Sequence, residues 1–318
     1  MVKQVFEPDT ELTAIAIGYK NDKVNYIADK IFPYIPVGEP NFRYNEYPVE
    51  EGFSVPDTKV GRISKPNIVE FSAVSKTASV EDYGLDAPVP DYDVTRAPKN
   101  YDPRARATEG ITDLILLDRE LRCARLARDL NNYANKETLA EGSRFTDEAS
   151  DPLRILLEAR DKMILGANTL LLGMNVWTAL RLHPKIVKAT HGNSGDSGAA
   201  SREAVAELLE LSDIIVGKSR HDSAKKGQKA VITPCWEDVC ALLYLNDNAD
   251  NNNGITFGYT ARFGNKVAAT YFDKDMGLRG AEVIRVGESC KELVVAPQCG
   301  YFFEGAAVKT VKEEDDEG

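Results

Sequence analysis

The residues that could act as a nucleophile, a base or a metal ligand are few and are scattered along the chain. The three histidines, His183, His191 and His221, each lie beside a loop signal, and none has a plausible nucleophile near it in sequence. The chain also lacks the Gly-x-Ser-x-Gly turn of α/β-hydrolases and the Gly-Lys-Ser/Thr ending of a phosphate-binding loop. We therefore predict no catalytic residue, no cofactor-binding residue and no enzymatic turnover.

The cysteines do not suggest a metal centre either. Cys235 and Cys240 are separated by more than the two residues typical of zinc knuckles, and no histidine lies close to them in sequence. An odd number of widely spaced cysteines in a chain of 318 residues is typical of reduced thiols. We expect all of them to be buried as small apolar residues: Cys123, Cys235, Cys240, Cys290 and Cys299.

Three lysines leave one reaction open. Lys59, Lys65 or Lys76 could attack an asparagine of another subunit if a buried carboxylate acted as the base. The favoured interpretation is that these lysines are solvated on an exposed hairpin.

Composition limits the classes of partner. Fifty acidic against thirty-nine basic residues give a net charge of -11, which argues against a surface that grips nucleic-acid phosphates. No apolar run approaches the eighteen or so residues that cross a bilayer, and residues 1–11 lack the pattern of a signal peptide. We expect a soluble protein that is made in the cytoplasm and has no membrane partner.

The segment 34–90 is the most informative element, because it is prone to form strands but too poor in apolar residues to bury itself. Its aromatic and β-branched residues repeatedly fall two apart, which predicts a two-stranded arm over residues 41–80. Isolated two-stranded ribbons are marginally stable in water, so we expect the arm to dock on a neighbouring copy. The predicted inter-subunit contact residues are Phe42, Tyr44, Tyr47, Phe53, Val55, Val60, Ile63, Ile68 and Phe71.

A long helix is predicted over residues 103–137. Asp102 can cap its first turn, and Pro103 has no amide proton that would be left unpaired there. At about 1.5 Å per residue the helix would be about 50 Å long. Its core face is predicted to consist of Ile111, Leu114, Leu117 and Leu121.

Short strands and helices alternate from residue 168 to 245, which is typical of a compact α/β unit. In this unit we predict a helix over residues 236–245, followed by an exposed loop at 247–254. Strands with antiparallel pairing are expected from residue 266 onwards. An exposed loop at 191–201 and a disordered acidic tail at 312–318 complete the predicted elements.

Three local phrases accompany this order of elements: YIADKIFP at 26–33, DEASDPL at 147–153 and LLLGMNVWTALRLHP at 170–184. Together they resemble the major capsid proteins of tailed bacteriophages, which have the Hong Kong 97 fold. The resemblance implies an α+β Hong Kong 97-type capsid fold with an N-terminal arm, a long β-hairpin arm (E-loop), a peripheral domain with a long spine helix, and an α/β axial domain. The implied boundaries are 1–40 for the N-terminal arm, 41–80 for the hairpin arm, 81–167 and 266–318 for the peripheral domain with its spine helix at 103–137, and 168–265 for the axial domain.

The function implied by the resemblance is structural. The chain would self-assemble as hexamers and pentamers into the icosahedral shell of the virion, in the host cytoplasm, around double-stranded DNA that it contacts only non-specifically. Portal, scaffold or decoration proteins would be its other partners, and it would need no cofactor. Two alternatives stay open: an encapsulin-like shell around cargo enzymes, and a soluble α/β enzyme whose lid is the ribbon. Some relatives form an autocatalytic crosslink, but no Lys or Asn of this sequence can be assigned to one by motif.

Overall fold

The computed structural model describes residues 8–21, 26–70, 72–191 and 198–307. The helices are α1 (Thr10–Gly18), α2 (Ala28–Ile31), α3 (Asp91–Thr95), α4 (Pro103–Arg128), α5 (Pro152–Lys162), α6 (Met174–Leu182), α7 (Pro184–His191) and α8 (Arg202–Leu208). The strands are β1 (Tyr34–Val37), β2 (Asn41–Glu46), β3 (Val74–Ser79), β4 (Glu81–Pro90), β5 (Asn135–Thr138), β6 (Thr169–Gly173), β7 (Asp213–Gly217), β8 (Arg220–Asp222), β9 (Ile232–Pro234), β10 (Cys240–Leu243), β11 (Gly258–Asp273), β12 (Ala281–Val294) and β13 (Gly300–Glu304).

One sheet has the strand order β5-β13-β10-β6-β7 and is buried on both faces. Alternate residues of a strand point to opposite faces, so Leu170 and Leu172 of β6 pack among α5 to α8, whereas Leu171 packs on the side of α4. Such a strand has no polar face, which explains why β6 reads as a continuous apolar run. The prediction of an α/β unit is confirmed.

The second sheet has the order β1-β11-β12-β4. Its β11 and β12 form a long antiparallel hairpin, and β1 joins β11 in parallel. Helix α1 and the first half of α4 cover one face through Leu12, Ile111 and Ile115, which pack on Ile284 and Val286. Strand β4 pairs with β12 on one side and lies at the edge of this sheet.

Helix α4 packs against both sheets and thereby connects them. The predicted start is confirmed, since the Asp102 carboxylate accepts a hydrogen bond of 2.9 Å from the amide of Arg104. The predicted end at residue 137 is wrong, because the helix ends at Arg128 and is about 39 Å long. Asp129 adopts an extended conformation and caps a short 3-10 turn, after which Tyr133 enters the core and β5 joins the sheet.

The predicted core face of α4 needs one correction. Ile111 is buried, and Leu117 and Leu121 are partly buried against the cluster beneath the five-stranded sheet. Leu114, by contrast, is 53% exposed. The buried positions of this helix include Ile115, Arg119 and Cys123, so the stripe is rotated away from Leu114.

The predicted domain limits stay a prediction, and the two sheets do not follow them strictly. Strands β5 and β13 pair in the five-stranded sheet although they lie outside residues 168–265. Strand β11 begins inside that range, at Gly258, but pairs in the other sheet. The chain therefore crosses between the two sheets several times.

Other predicted elements have mixed outcomes. The helix predicted over 236–245 is wrong, because this segment forms a turn and then β10. Residues 192–197 and the acidic tail at 312–318 lie outside the described residues. In the described part of the chain, every helix is too short or too polar to span a membrane.

Candidate functional site

The arm predicted over residues 41–80 has a folded root. Strands β2 and β3 pair antiparallel from Asn41 with Ser79 to Glu46 with Val74. The side chains of Phe42 and Tyr44 are buried against Tyr259 and Val295, in a cluster shared with β1. Phe42 and Tyr44 are 6% and 8% exposed within the subunit, so little of either side chain is left for a neighbouring copy, and their contact between subunits stays a prediction. They hold the arm on its own subunit.

The loop at residues 247–254, which was predicted to be exposed, contacts the root of the arm from one side. Its Asn251 carbonyl oxygen accepts a hydrogen bond of 3.2 Å from the Asn45 amide, and the Tyr47 hydroxyl donates to the Asn252 carbonyl oxygen. The Asp250 carboxylate accepts hydrogen bonds from the amides of Asn252 and Asn253 at 2.7 and 2.6 Å, which lowers the pKa of Asp250. The loop is thus braced where it meets the arm. Tyr47 therefore also contacts its own subunit.

Beyond the root, the chain leaves the ladder. Residues 47–73 contain one 3-10 helix, Val49–Phe53, and no further strand among those described. We call residues 54–70 the arm tip. A hydrogen bond of 2.8 Å from the Asn67 side chain to the Asp57 carbonyl oxygen links its two sides, and a turn at Gly61 to Ser64 reverses it.

The arm tip exposes large apolar side chains. Val55, Ile63 and Ile68 are 93%, 93% and 90% exposed. The predicted contact residues Phe53 and Val60 are also exposed, whereas Phe71 lies outside the described residues. The tip has three basic residues, Lys59, Arg62 and Lys65, against two acidic residues, Asp57 and Glu70. This exposed, weakly basic segment is the candidate assembly element.

A buried polar junction positions the chain segment that leads to the arm. The carboxylate of Glu120 is fully buried and accepts hydrogen bonds from the amides of Ile27 and Ala28, at 3.0 and 2.8 Å. It also accepts from Ser219 Oγ at 3.0 Å and from Trp236 Nε1 at 2.7 Å. These contacts, which we call the Glu120 junction, tie the segment before β1, helix α4 and the five-stranded sheet together.

Arg119 extends the same connection to the four-stranded sheet. The residue is 1% exposed, and its guanidinium forms an ion pair with Asp29. Its Nη2 donates hydrogen bonds to the Phe32 carbonyl oxygen at 2.8 Å and to Thr260 Oγ1 at 3.0 Å. The guanidinium also lies 3.8 Å from the ring centre of Tyr34. The sequence analysis did not identify Arg119 as a buried residue. The available signal was that Arg119 lies four residues after Ile115 and four before Cys123, on the buried stripe of α4.

Several of the other side chains that could act as a base, a nucleophile or a metal ligand make contacts within the fold. His183 is buried, with Nε2 at 3.2 Å from Ser150 Oγ and at 3.0 Å from the Asp147 carbonyl oxygen. His221 lies 3.7 Å from Cys235 Sγ, and the side chain of His191 lies outside the described residues. Of the three arm lysines, Lys76 pairs with Glu46 at 2.7 Å, while Lys59 and Lys65 are exposed.

The cysteines, all of which lie in the described part of the chain, are buried and unpaired. Burial raises the pKa of the Cys299 thiol to about 12, and burial followed by the nearby Glu288 and Glu292 raises that of Cys290 to about 12. Within the described residues, no group of three or more His, Cys, Asp or Glu side chains is arranged to hold a metal ion.

Comparisons with known proteins agree with this architecture. No family model matches the sequence. The fold is similar to that of a phage-related protein from Bordetella bronchiseptica, with a TM-score of 0.75 at 23% identity over 96% of this chain and 100% of that one. It is also similar to the capsid of cyanophage P-SCSP1u, with a TM-score of 0.56 at 10% identity over 90% of each chain.

These structural matches show the fold, which is the predicted Hong Kong 97-type capsid fold of mixed helices and sheets. The sequence is 48% identical over 303 residues to the major capsid protein of Pseudomonas phage JBD67. The aligned residues cover 95% of this chain and 97% of that protein. Identity at this level over nearly the full length of both chains is decisive for the family, so this chain belongs to the phage major capsid proteins.

Proposed function

We propose that this chain assembles as hexamers and pentamers into the icosahedral shell of a virion, and that the arm tip docks on a neighbouring copy during assembly. The observation that supports the docking is the exposure of Val55, Ile63 and Ile68, at 90% or more each. Burying one such side chain contributes about 1.5–3 kcal/mol. A tip with no core of its own gains this stabilisation only from another surface.

Closed rings require each subunit to offer one surface that fits a different surface on the next subunit. The arm has this polarity, because a buried root fixes its direction while the tip presents apolar and basic groups. Residues 54–70 also leave their backbone amide and carbonyl groups outside any strand ladder, so they can pair with an exposed strand edge. The predicted contact residues that we retain for this role are Phe53, Val55, Val60, Ile63 and Ile68.

The acidic balance of the chain fits a container for DNA. With a net charge of -11, the shell has no strong positive field to condense the packaged duplex on its wall. DNA contacts would then be non-specific, and the role of the chain would be mechanical, with no substrate to turn over. A portal, scaffold or decoration protein would complete the particle.

The test is to replace residues 54–70 with a Gly/Ser linker of equal length while keeping the root. We expect a folded protein with a nearly unchanged melting temperature that sediments as subunits or small oligomers, because few intramolecular contacts are lost. Electron microscopy and sedimentation velocity would check the result. Normal shells from this variant would refute the proposed role of the tip.

A matched control replaces the loop 225–229 with a Gly/Ser sequence. This loop follows β8 and is exposed like the tip, but it carries only polar residues and glycine. We expect it to assemble normally. The elution volume of the wild-type protein distinguishes the shell from the enzyme alternative. A soluble enzyme with a ribbon lid would elute as a small oligomer, whereas a shell protein would elute as particles of megadalton mass.

A further inference from the structure

A recessed cavity of about 450 Å³ lies where the end of α1, helix α2, helix α4 and strand β11 meet. Its walls are strongly cationic for a chain with a net charge of -11. The charged residues that line it are Lys20, Asp29, Lys30, Arg119, Arg262 and Lys266. Five of these six side chains are basic, so the cavity has the opposite sign to the protein as a whole.

Lys266 is the key group in this cavity. The residue is 9% exposed and lines the cavity, where Glu288 and Asp29 act on its ammonium electrostatically. Burial lowers the pKa of Lys266, and the nearby Arg119 and Arg262 lower it further, while Glu288 and Asp29 act in the opposite direction. Burial disfavours the charged form of an amine, and an anion bound beside it would favour that form.

Glu288 and Asp29 are the acidic groups that act electrostatically on Lys266. Glu288 is 4% exposed and accepts a hydrogen bond of 3.0 Å from the Tyr34 hydroxyl. Because Asp29 is paired with Arg119, Glu288 is the carboxylate left for both Lys266 and Arg262, and the cavity keeps an excess of positive charge.

Arg262 is a second cation in this cavity, and its contacts indicate that an anion can bind there. Its guanidinium lies 4.6 Å from the ring centre of Tyr34. The guanidinium of Arg119 lies 3.8 Å from the centre of the same ring. The Nε atoms of Arg262 and Arg119 are both buried and lack hydrogen-bond partners within the described residues. Unused N–H groups on a planar guanidinium are the donors that bind carboxylate and phosphate oxygens best.

We propose that this cavity is a binding site for a compact oxyanion, a carboxylate or a phosphate group, held by Lys266 and Arg262. The recess excludes the backbone of duplex DNA, because Lys266 and Arg119 are at most 9% exposed and a rigid duplex cannot reach them. A single carboxylate side chain of a second copy, or a free phosphate ion, is small enough to enter.

The experiment measures thermal unfolding of the full-length, unassembled protein while inorganic phosphate replaces chloride at constant ionic strength. We expect phosphate to raise the melting temperature of the wild-type protein. Lys266→Met should abolish this rise, because Met keeps the volume of the side chain but removes the charge. Arg262→Gln should weaken the apparent phosphate affinity about tenfold, as expected for the loss of a charge-assisted hydrogen bond.

Lys274→Met is the matched control, since Lys274 is exposed on the turn between β11 and β12. It should keep the full response to phosphate. Lys266→Gln serves as a second variant with a neutral polar side chain and should behave as Lys266→Met does. The inference is overturned if phosphate has no effect on the wild-type protein, or if Lys266→Met responds as strongly as the wild type.

Assembled particles then identify the source of the oxyanion, and this step rests on the proposed shell function. If a carboxylate of a second copy fills the site, phosphate should no longer stabilise wild-type particles, and Lys266→Met particles should dissociate at a lower temperature. If the natural ligand is a free oxyanion, the phosphate response should persist in particles. The measurement on unassembled protein stands apart from the shell function, so failure of one does not imply failure of the other.

Discussion

The arm tip and the Glu120 junction are supported in opposite ways. In the tip, apolar side chains are exposed and few hydrogen bonds fix the backbone. In the junction, one fully buried carboxylate receives four hydrogen-bond donors from three parts of the chain. The tip can form new contacts with another surface, whereas a substitution in the junction would remove contacts that the subunit already has.

If the tip docks on a neighbouring copy as proposed, the stability of the subunit and its assembly depend on separate residues. The junction, the root and the two sheets fix the subunit, while the tip adds little to its unfolding free energy. A subunit built in this way can fold before it meets its neighbours. Variants in the two regions should therefore change two different measurements.

The largest effect is expected for Glu120→Ala. The substitution leaves the Ile27 and Ala28 amides, Ser219 Oγ and Trp236 Nε1 buried without their acceptor. Because each unsatisfied buried donor costs about 1–3 kcal/mol and effects in one network are not additive, we expect a loss of about 4–6 kcal/mol. Urea unfolding of the unassembled protein would measure it.

The control for this change is Glu109→Ala. Glu109 lies on the exposed side of α4 and faces Arg106 at 3.9 Å. An exposed pair of this kind contributes about 0–1 kcal/mol, so the unfolding midpoint should hardly move. Equal losses for the two variants would show that the buried network has no special role.

A second comparison contrasts the root of the arm with its tip. Phe42→Ala removes a ring that is 6% exposed and should lower the unfolding free energy by about 3–4 kcal/mol. Ile63→Ala removes a side chain that is 93% exposed and should change it by less than about 0.5 kcal/mol. Of the two, only Ile63→Ala should yield a stable subunit that assembles poorly, as measured by light scattering during assembly.

The sequence predicted the existence of the arm but not which of its residues are free. Phe42 and Ile63 are both apolar residues in an alternating pattern, and that pattern cannot tell whether the partner surface lies on the same subunit. The partners of Phe42, such as Tyr259 and Val295, are more than two hundred residues away in sequence. Only the tertiary structure reveals such a contact.

The helix boundaries show the same limit at shorter range. The start of α4 was predictable, because Asp102 and Pro103 are local capping signals. Its end was not, because residues 135–138 are drawn into a strand by pairing with β13. The apolar run at 239–243 fits a helix or a buried strand equally well, and its position between β13 and β6 decides for the strand.

A third comparison tests the corrected face of α4. Leu121→Asp places a carboxylate against the cluster beneath the five-stranded sheet and should lower the unfolding free energy by about 2–3 kcal/mol. Leu114→Asp makes the same change at a side chain that is 53% exposed and should cost less than about 0.5 kcal/mol. Thermal unfolding would rank the two, and a larger effect at position 114 would contradict the orientation of the helix.

The smallest effect is expected for Asp86, an exposed counterpart of the buried Glu120. The Arg285 guanidinium donates two hydrogen bonds of 2.7 Å to the Asp86 carboxylate, and this lowers the pKa of Asp86. A lowered pKa stabilises the folded state at pH values above the ordinary carboxyl pKa, and the stabilisation is lost as the pH falls through the lowered value. Asp86→Asn should therefore cost about 0.5 kcal/mol at neutral pH, as for other surface ion pairs.

This difference between the wild type and Asp86→Asn should disappear once the pH falls below the lowered pKa of Asp86, where the wild-type carboxyl is also neutral. Urea unfolding at both pH values would measure it, and added salt should reduce the difference at neutral pH because the pair is exposed to solvent. If the difference were the same at both pH values, it would arise from lost packing on β12 and not from charge. A large difference at neutral pH would mean that an exposed pair at the sheet edge is as important to the subunit as the buried carboxylate of Glu120.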